Sequence, residues 1–495
     1  MNGCFSSAAI SRISPSSSAG ALNELLSLGG LEGRPGGTID ISGCDPYFPT
    51  THRVGEAAAA VLAAHGAAIA EIWRRRSGRR QDVAIDVGAA AISLESVLLM
   101  TRRGYTVPYT DINYPLTNFH PTRDGRSIHL HAGYPHLRNG LLELLDCPNS
   151  LDRIRAKVAQ WDAFELEDAI AERGLCGTVG RSREEWLAHP QGAWLAGQPV
   201  VTIERIGDSA PEPFRPAARP LSGVRVLDLT DVLAGPTATR TLAEQGATVL
   251  RIRPPDRPII PAFILDTGHG KLSTVMDLKR EPEAMRMRAL LSEADIFAQN
   301  YRPGAIARLG FSPEEAARIR PGIICMSLNC YGHGGPWSQR RGWEQLAQAA
   351  SGMAVADGTL AEPKVNPVIP NDYITGYLAA YGMAVALLRR ATEGGSYHVR
   401  VSLARTAMWV QSLGRINPKP DGITVPPETI RALQITRDSP EGRLRFLGPV
   451  ARFSETKAYW EWASPPMAAH DPVWPLMPSL PDGPAVPVDF SAPRA

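Results

Sequence analysis

Two long Ala-rich stretches dominate the pattern of apolar and polar positions along the chain. Glu56 to Arg76 reads as one helix, apolar almost all round and ending in Arg74, Arg75 and Arg76, which suit a helix C-terminus. Gln81–Val87 then alternates like a half-buried strand. A turn at Arg123–Gly125 leads into a second short alternating strand, Ser127–His131. Helical spacing follows over Asn139–Asp146, Ser150–Gln160 and Ala163–Arg173. Beyond the Pro-rich Asp208–Pro220 the rhythm changes. Val224–Leu229, Thr248–Ile252, Thr274–Leu278, Ile296–Gln299 and Ile323–Leu328 read as strands, with helices over Thr237–Gln245, 281–293 and 312–319 between them. Helix 376–390 and strand 397–403 close the series. This pitch predicts an α/β fold, a doubly wound Rossmann-like parallel sheet with a smaller α+β domain.

The pattern divides the chain into a loose N-terminus (1–20), a first Ala-rich helix and strand (21–119) and a small α+β domain (120–206). A linker (207–220), a nucleotide-binding-like domain (221–410), a C-terminal segment (411–463) and a Pro-rich tail expected to be extended (464–495) follow. One internal repeat is visible. An ungapped offset of 316 pairs Gly66 with Gly382, Arg74 with Arg390, Gly78 with Gly394 and Val83 with Val399. The shared order of helix, Gly and strand argues for duplication.

Composition mainly excludes. A formal net charge of +2 over 495 residues gives no nucleic-acid face and no polybasic membrane patch. No apolar run is read as reaching the roughly 20 residues of a membrane span, and the N-terminus lacks a secretory core, so a cytoplasmic protein is expected. Cys4, Cys44, Cys147, Cys176, Cys325 and Cys330 show neither zinc-ligand spacing nor a disulfide framework. His129 and His131 share a strand face near His120 and His136, but no carboxylate or Cys completes a metal set. No G-x-G-x-x-G follows the first strand and no Walker loop occurs. Ala234-Gly235-Pro236 offers a bare strand-to-helix turn whose N–H groups suit a phosphate, or simply a βα connection.

Leu221–Ile252 resembles the opening of the class III CoA-transferases, which include formyl-CoA and carnitinyl-CoA transferases. Asp277-Leu278-Lys279, Asn300-Tyr301-Arg302-Pro303-Gly304, Arg308-Leu309-Gly310, Pro321-Gly322-Ile323-Ile324, Gly332-His333-Gly334-Gly335-Pro336 and Gln348-Ala349-Ala350-Ser351-Gly352 continue it in order over about 221–410. The resemblance implies a nucleophilic Asp just before a long Gly- and Ala-containing helix, which here is Asp372. A carboxylate can attack an acyl-CoA thioester, giving a mixed anhydride and then an enzyme-bound CoA thioester. Local sequence alone favours reading Asp372 as an N-cap worth about 1 kcal/mol; the surrounding motifs favour the nucleophile, and the two roles can coexist.

By the same resemblance Leu233, Ala234, Met276, Lys279, Asn300, Arg302 and Arg308 are CoA contacts, with Lys271 a further basic candidate. The family's acidic residue at the end of the second strand is replaced by Arg253 before Pro254, which leaves Arg253 as a possible substitute. Gly334 and Gly335 are candidates for a flexible loop near the thioester. Trp343 and Glu344 stand where related racemases carry a His-Asp pair, and Trp343 cannot move a proton. Asp124-Gly125, Glu185-Trp186 and His189-Pro190 resemble the family's small domain, yet they precede the nucleotide-binding half, so a permuted arrangement is expected. The implied activity is CoA transfer between an acyl-CoA and a carboxylic acid by a homodimer. CoA is then a substrate, with no tightly bound cofactor and no metal. An isomerase on the same fold and a non-catalytic CoA-binding scaffold remain the alternatives.

Overall fold

A computed structural model describes residues 17–33, 36–108 and 115–475. Its centre is a seven-stranded sheet: β1 (Thr202–Gly207), β2 (Arg225–Leu229), β3 (Thr248–Arg253), β4 (Lys271–Val275), β5 (Ile296–Gln299), β6 (Ile324–Asn329) and β7 (Ser396–Ser402). Their order is β4-β3-β2-β5-β6-β7-β1. All neighbours pair in parallel except β1, which runs antiparallel along β7. The expected doubly wound α/β sheet is present. Strands buried on both faces need near-continuous apolar runs, and β2 and β6 supply them.

Two helices of 24 residues, Val54–Ser77 and Pro370–Glu393, pack against each other beside the sheet. Their bounds differ by the same 316 positions as the sequence repeat. A Cβ on Gly66 would lie 2.6 Å from Cγ1 of Val83, and one on Gly382 would lie 2.6 Å from Cγ1 of Val399. Each glycine thus lets a helix sit directly on the strand that follows it. In the first unit that strand (Val83–Asp86) pairs in parallel with Ile39–Ser42, as β7 pairs with β6. The first unit's sheet holds three strands, closed by Arg452–Phe453. The small α+β region carries its own antiparallel sheet over Asn118–Pro121, Ser127–Leu130 and Gly177–Val179. Its helices include Pro135–Leu145 and Ala163–Glu172.

Several expectations need correction. The third strand of the parallel series is Lys271–Val275, not Thr274–Leu278, because the alternating polar Lys271 and Ser273 are buried inside the sheet. The helix expected at 376–390 begins at Pro370, since Pro is tolerated in a first turn where its missing N–H has no partner. Helix also occupies Ser17–Gly29, so the loose N-terminus does not extend to residue 20; residues 1–16 lie outside the described residues. The tail is anchored at its start: Trp474 Nε1 donates to the Leu290 carbonyl (3.1 Å), and the Ser464 N–H to His269 Nδ1 (3.1 Å). Residues 476–495 lie outside the described residues. Val54–Ser77 is long and apolar enough to span a membrane by length and composition, and its apolar stretch Val54–Trp73 is buried within the protein. Cys44 is disulfide-bonded, whereas Cys147, Cys176, Cys325 and Cys330 are free.

Candidate active site

In a doubly wound sheet the ligand crevice opens at the carboxyl ends of the strands, where the winding reverses. Here that point lies between β2 and β5. The loops leaving these strands are tied together: the Asp231 N–H donates to Asn300 Oδ1 (2.8 Å), and Asn300 Nδ2 donates to the Asp231 carbonyl (2.7 Å). The next residue, Val232, has φ +69°, a left-handed conformation that a β-branched residue adopts at a cost of about 1–3 kcal/mol. The doubly bonded Asn300 holds this strained turn, which aims Leu233 and Ala234 into a cavity of about 370 Å³. Ala234 opens the helix Ala234–Ala243, so its first turn faces the same space.

Asp372 lines this cavity from the first turn of the second long helix. It is the third helical residue rather than one preceding the helix, so its side chain is not the N-cap; Ile369 holds that position. Burial first, and then the negative charge of Glu344, push the Asp372 carboxyl well above the usual carboxylate range. Glu344 is itself raised to about 7 by burial. It accepts hydrogen bonds from Gln348 Nε2 (2.8 Å) and from the backbone N–H of Asn371 (3.2 Å). The helix N-terminus acts in the opposite sense and favours the ionised form of Asp372. Beside Glu344, Trp343 stacks on His131 with ring centroids 4.2 Å apart. His131, just past the small region's strand, therefore backs the cavity-lining Trp343. Among the described residues no group of His, Cys, Asp and Glu is arranged to hold a metal.

A second cavity of about 380 Å³ adjoins the first, with Arg257, Tyr301 and Arg302 lining both. Met276, Lys279 and Arg253 line the second. Arg253 also bonds inward, its guanidinium 3.1 Å from Asp231 Oδ1 and donating to the Pro258 carbonyl at 3.0 Å. Arg257 reaches the same carboxylate at 2.9 Å, and Tyr134 Oη donates to it at 3.2 Å.

The structure brings Leu233, Ala234, Asn300, Arg302, Trp343, Glu344 and Asp372 together around one cavity, with Met276, Lys279 and Arg253 next door. Arg308 is exposed and lines neither. Lys271 is not at the site. Its Nζ is fully buried against Asp228 (2.9 Å), the Pro236 carbonyl (2.8 Å) and Thr239 Oγ1 (2.7 Å), below the sheet's carboxyl end. Gly334 and Gly335 are also elsewhere: Trp194 and Gln191 of the small region press on them, so their loop is pinned. Sequence reasoning missed Tyr134, His136, Cys176, Asp231 and Arg341, all on the cavity wall. Asp231 follows a strand end, as Asn300 does, and that position is a readable signal. The small-region residues come from distant sequence and carry none.

The fold is thus a doubly wound α/β sheet with two adjoining cavities at its strand ends. The chain belongs to CoA-transferase family III, whose model matches residues 19–211 and 221–422. It is 32% identical over 423 residues to acetyl-coenzyme A transferase nodX of Hypoxylon pulicicidum, covering 74% of this chain and 71% of that one. It is 36% identical over 200 residues to succinyl-CoA:glutarate CoA-transferase of Mus musculus, covering 37% of this chain and 45% of the relative. Like that match, the one to acetyl-CoA:oxalate CoA-transferase of Acetobacter aceti spans about half the relative's length (51%), at 33% identity over 37% of this chain. The solved structure of Rv3272 from Mycobacterium tuberculosis aligns at 31% identity over 39% of this chain and 58% of that one, with TM-score 0.37.

Proposed function

We propose that this enzyme moves coenzyme A from an acyl-CoA to a carboxylic acid through covalent intermediates on Asp372, with CoA as substrate and no resident cofactor. One observation carries the reading. Asp372 opens, with no cation or hydrogen-bond donor on its carboxylate among the described residues, onto a cavity continuous in its lining with a second, cation-edged one. An extended thioester with its phosphates by Lys279 and Arg302 places its reacting end beside Asp372. Leu233 and Ala234 then flank the thin arm between them.

The chemistry balances without a metal or redox partner. An Asp372 carboxylate oxygen attacks the thioester carbonyl, the C–S bond breaks, and CoA leaves as thiolate with a mixed anhydride behind it. The thiolate attacks the aspartyl carbonyl, releasing the first acid as carboxylate and leaving CoA on Asp372 as a thioester. The second acid's carboxylate attacks that thioester, CoA leaves again, and its thiolate takes the new acyl group from the anhydride, restoring Asp372. A raised Asp372 pKa weakens ionisation and sharpens nucleophilicity once the group is ionised. The test is Asp372→Ala. CoA exchange between acyl-CoA and acid should vanish while CoA affinity, measured by calorimetry, persists; substantial residual exchange rejects the role.

A further inference from the structure

Arg341 has no place in the steps above, yet it lines the Asp372 cavity. Its Nη1 lies 3.0 Å from His136 Nε2, so a loop of the large domain meets a helix of the small region across the cavity wall. His136 is held below its ordinary pKa by burial and by the charges of Arg341, Arg302 and Arg257. A neutral imidazole accepts a guanidinium N–H, which fixes the fork without neutralising it. No carboxylate among the described residues lies within ion-pair distance of Arg341, and its buried Nε has no hydrogen-bond partner. Arg302 likewise has no carboxylate partner among the described residues, but two other neighbours do. Arg340 is paired with Asp168 at 3.0 Å and Arg257 with Asp231 at 2.9 Å. A partly desolvated guanidinium with a free donor is costly unless an anion completes it.

The source of that anion follows from position. Arg302 lines both cavities, and Lys279 lines the second, so phosphates running between them meet those cations. Arg341 lines only the Asp372 side. Leu233, Leu328 and Leu403 supply apolar wall there, suited to methylene groups. We infer that Arg341, oriented by His136, binds the second carboxylate of a dicarboxylic acid substrate while the first reacts at Asp372. The inference rests on the transfer reading of this cavity, and a guanidinium fork suits a carboxylate because it can bond both oxygens.

The test is calorimetric and needs no turnover. CoA-saturated protein is titrated with the dicarboxylates succinate, glutarate and adipate, and with butyrate, valerate and hexanoate as matched monocarboxylates. The best dicarboxylate should bind at least tenfold more tightly than its match. Arg341→Gln should erase that preference while leaving monocarboxylate and CoA affinities within twofold, and His136→Ala should reduce it part-way. Equal binding of matched acids in the wild type overturns the inference. So does an Arg341→Gln protein that loses CoA affinity but keeps the acid preference, which would assign Arg341 to a phosphate. Failure of the transfer reading shows separately, as turnover surviving Asp372→Ala, and leaves the binding comparison unaffected.

Discussion

Glu56 and Asp372 occupy the same third position of two 24-residue helices that pack on each other, but their surroundings are opposite. Glu56 accepts hydrogen bonds from Ser17 Oγ and from Arg53 Nη1 (3.0 Å), so its charge is answered. Asp372 faces a cavity and the like charge of Glu344. The same fold position is hydrogen-bonded within the protein in one unit and lines a cavity in the other. Glu56→Gln should therefore leave CoA exchange within about twofold and cost about 1–3 kcal/mol of stability. Asp372→Asn should lower kcat by at least about a thousandfold. Denaturant melts and exchange assays on both variants check this.

The electrostatics of Asp372 set a pH dependence. In the proposed mechanism the ionised carboxylate attacks, and its pKa is raised by burial and by Glu344, so activity should fall as pH drops through that raised value. The acid limb of kcat/KM then lies well above the pH of about 4 typical of an exposed Asp. Glu344→Gln removes the like charge, lowers the Asp372 pKa and should move the acid limb to lower pH. A limb that stays in place would show that Glu344 does not influence Asp372.

Two lysines flanking the same strand, Lys271 at its start and Lys279 beyond its end, should behave differently. Lys271 is buried against Asp228, so Lys271→Met leaves an interior carboxylate with hydrogen bonds from Thr230 and Thr239 but without its paired cation, and should cost about 3–5 kcal/mol. Lys279 is exposed on the second cavity's rim. Lys279→Ala should change stability by less than about 0.5 kcal/mol and raise the KM for acyl-CoA about tenfold, the equivalent of about 1.4 kcal/mol. Thermal melts and initial rates separate the two.

The helix-to-strand contact is also testable. A Cβ at Gly382 would stand 2.6 Å from Val399 Cγ1 and 2.9 Å from Val201 Cγ1. Overpacking of this kind costs about 1–3 kcal/mol, against a helix gain of about 1 kcal/mol on replacing Gly by Ala. Gly382→Ala should be net destabilising, and adding Val399→Ala should recover part of the loss in urea titrations.

Much of this architecture was legible because its signals are local. Apolar runs marked most of the parallel strands, and the 316-residue offset anticipated both long helices and their glycine contacts. Where polar residues were buried, the signal reversed: Lys271 looks like a surface cation and is the sheet's most enclosed one. Asp372 reads as a residue just before the helix, whereas the helix begins at Pro370, six residues ahead of the expected start. Gly334 and Gly335 read equally as a flexible loop or as a Gly-rich turn after a buried strand, and their contacts with Trp194 and Gln191 carry no local cue because those residues come from a distant part of the chain. For the same reason, Tyr134, His136 and Cys176 carried no sequence cue to the cavity. A site assembled from two regions shows in sequence only the half that bears its motifs.

The central claim is that Asp372 becomes covalently acylated during turnover. The protein is incubated with acyl-CoA, quenched with hydroxylamine, digested, and the peptide containing Asp372 is examined by mass spectrometry. A hydroxamate on Asp372, formed only when acyl-CoA is present, is the expected result. Continued CoA exchange with Asp372 unmodified, or with the label on another residue, would contradict it.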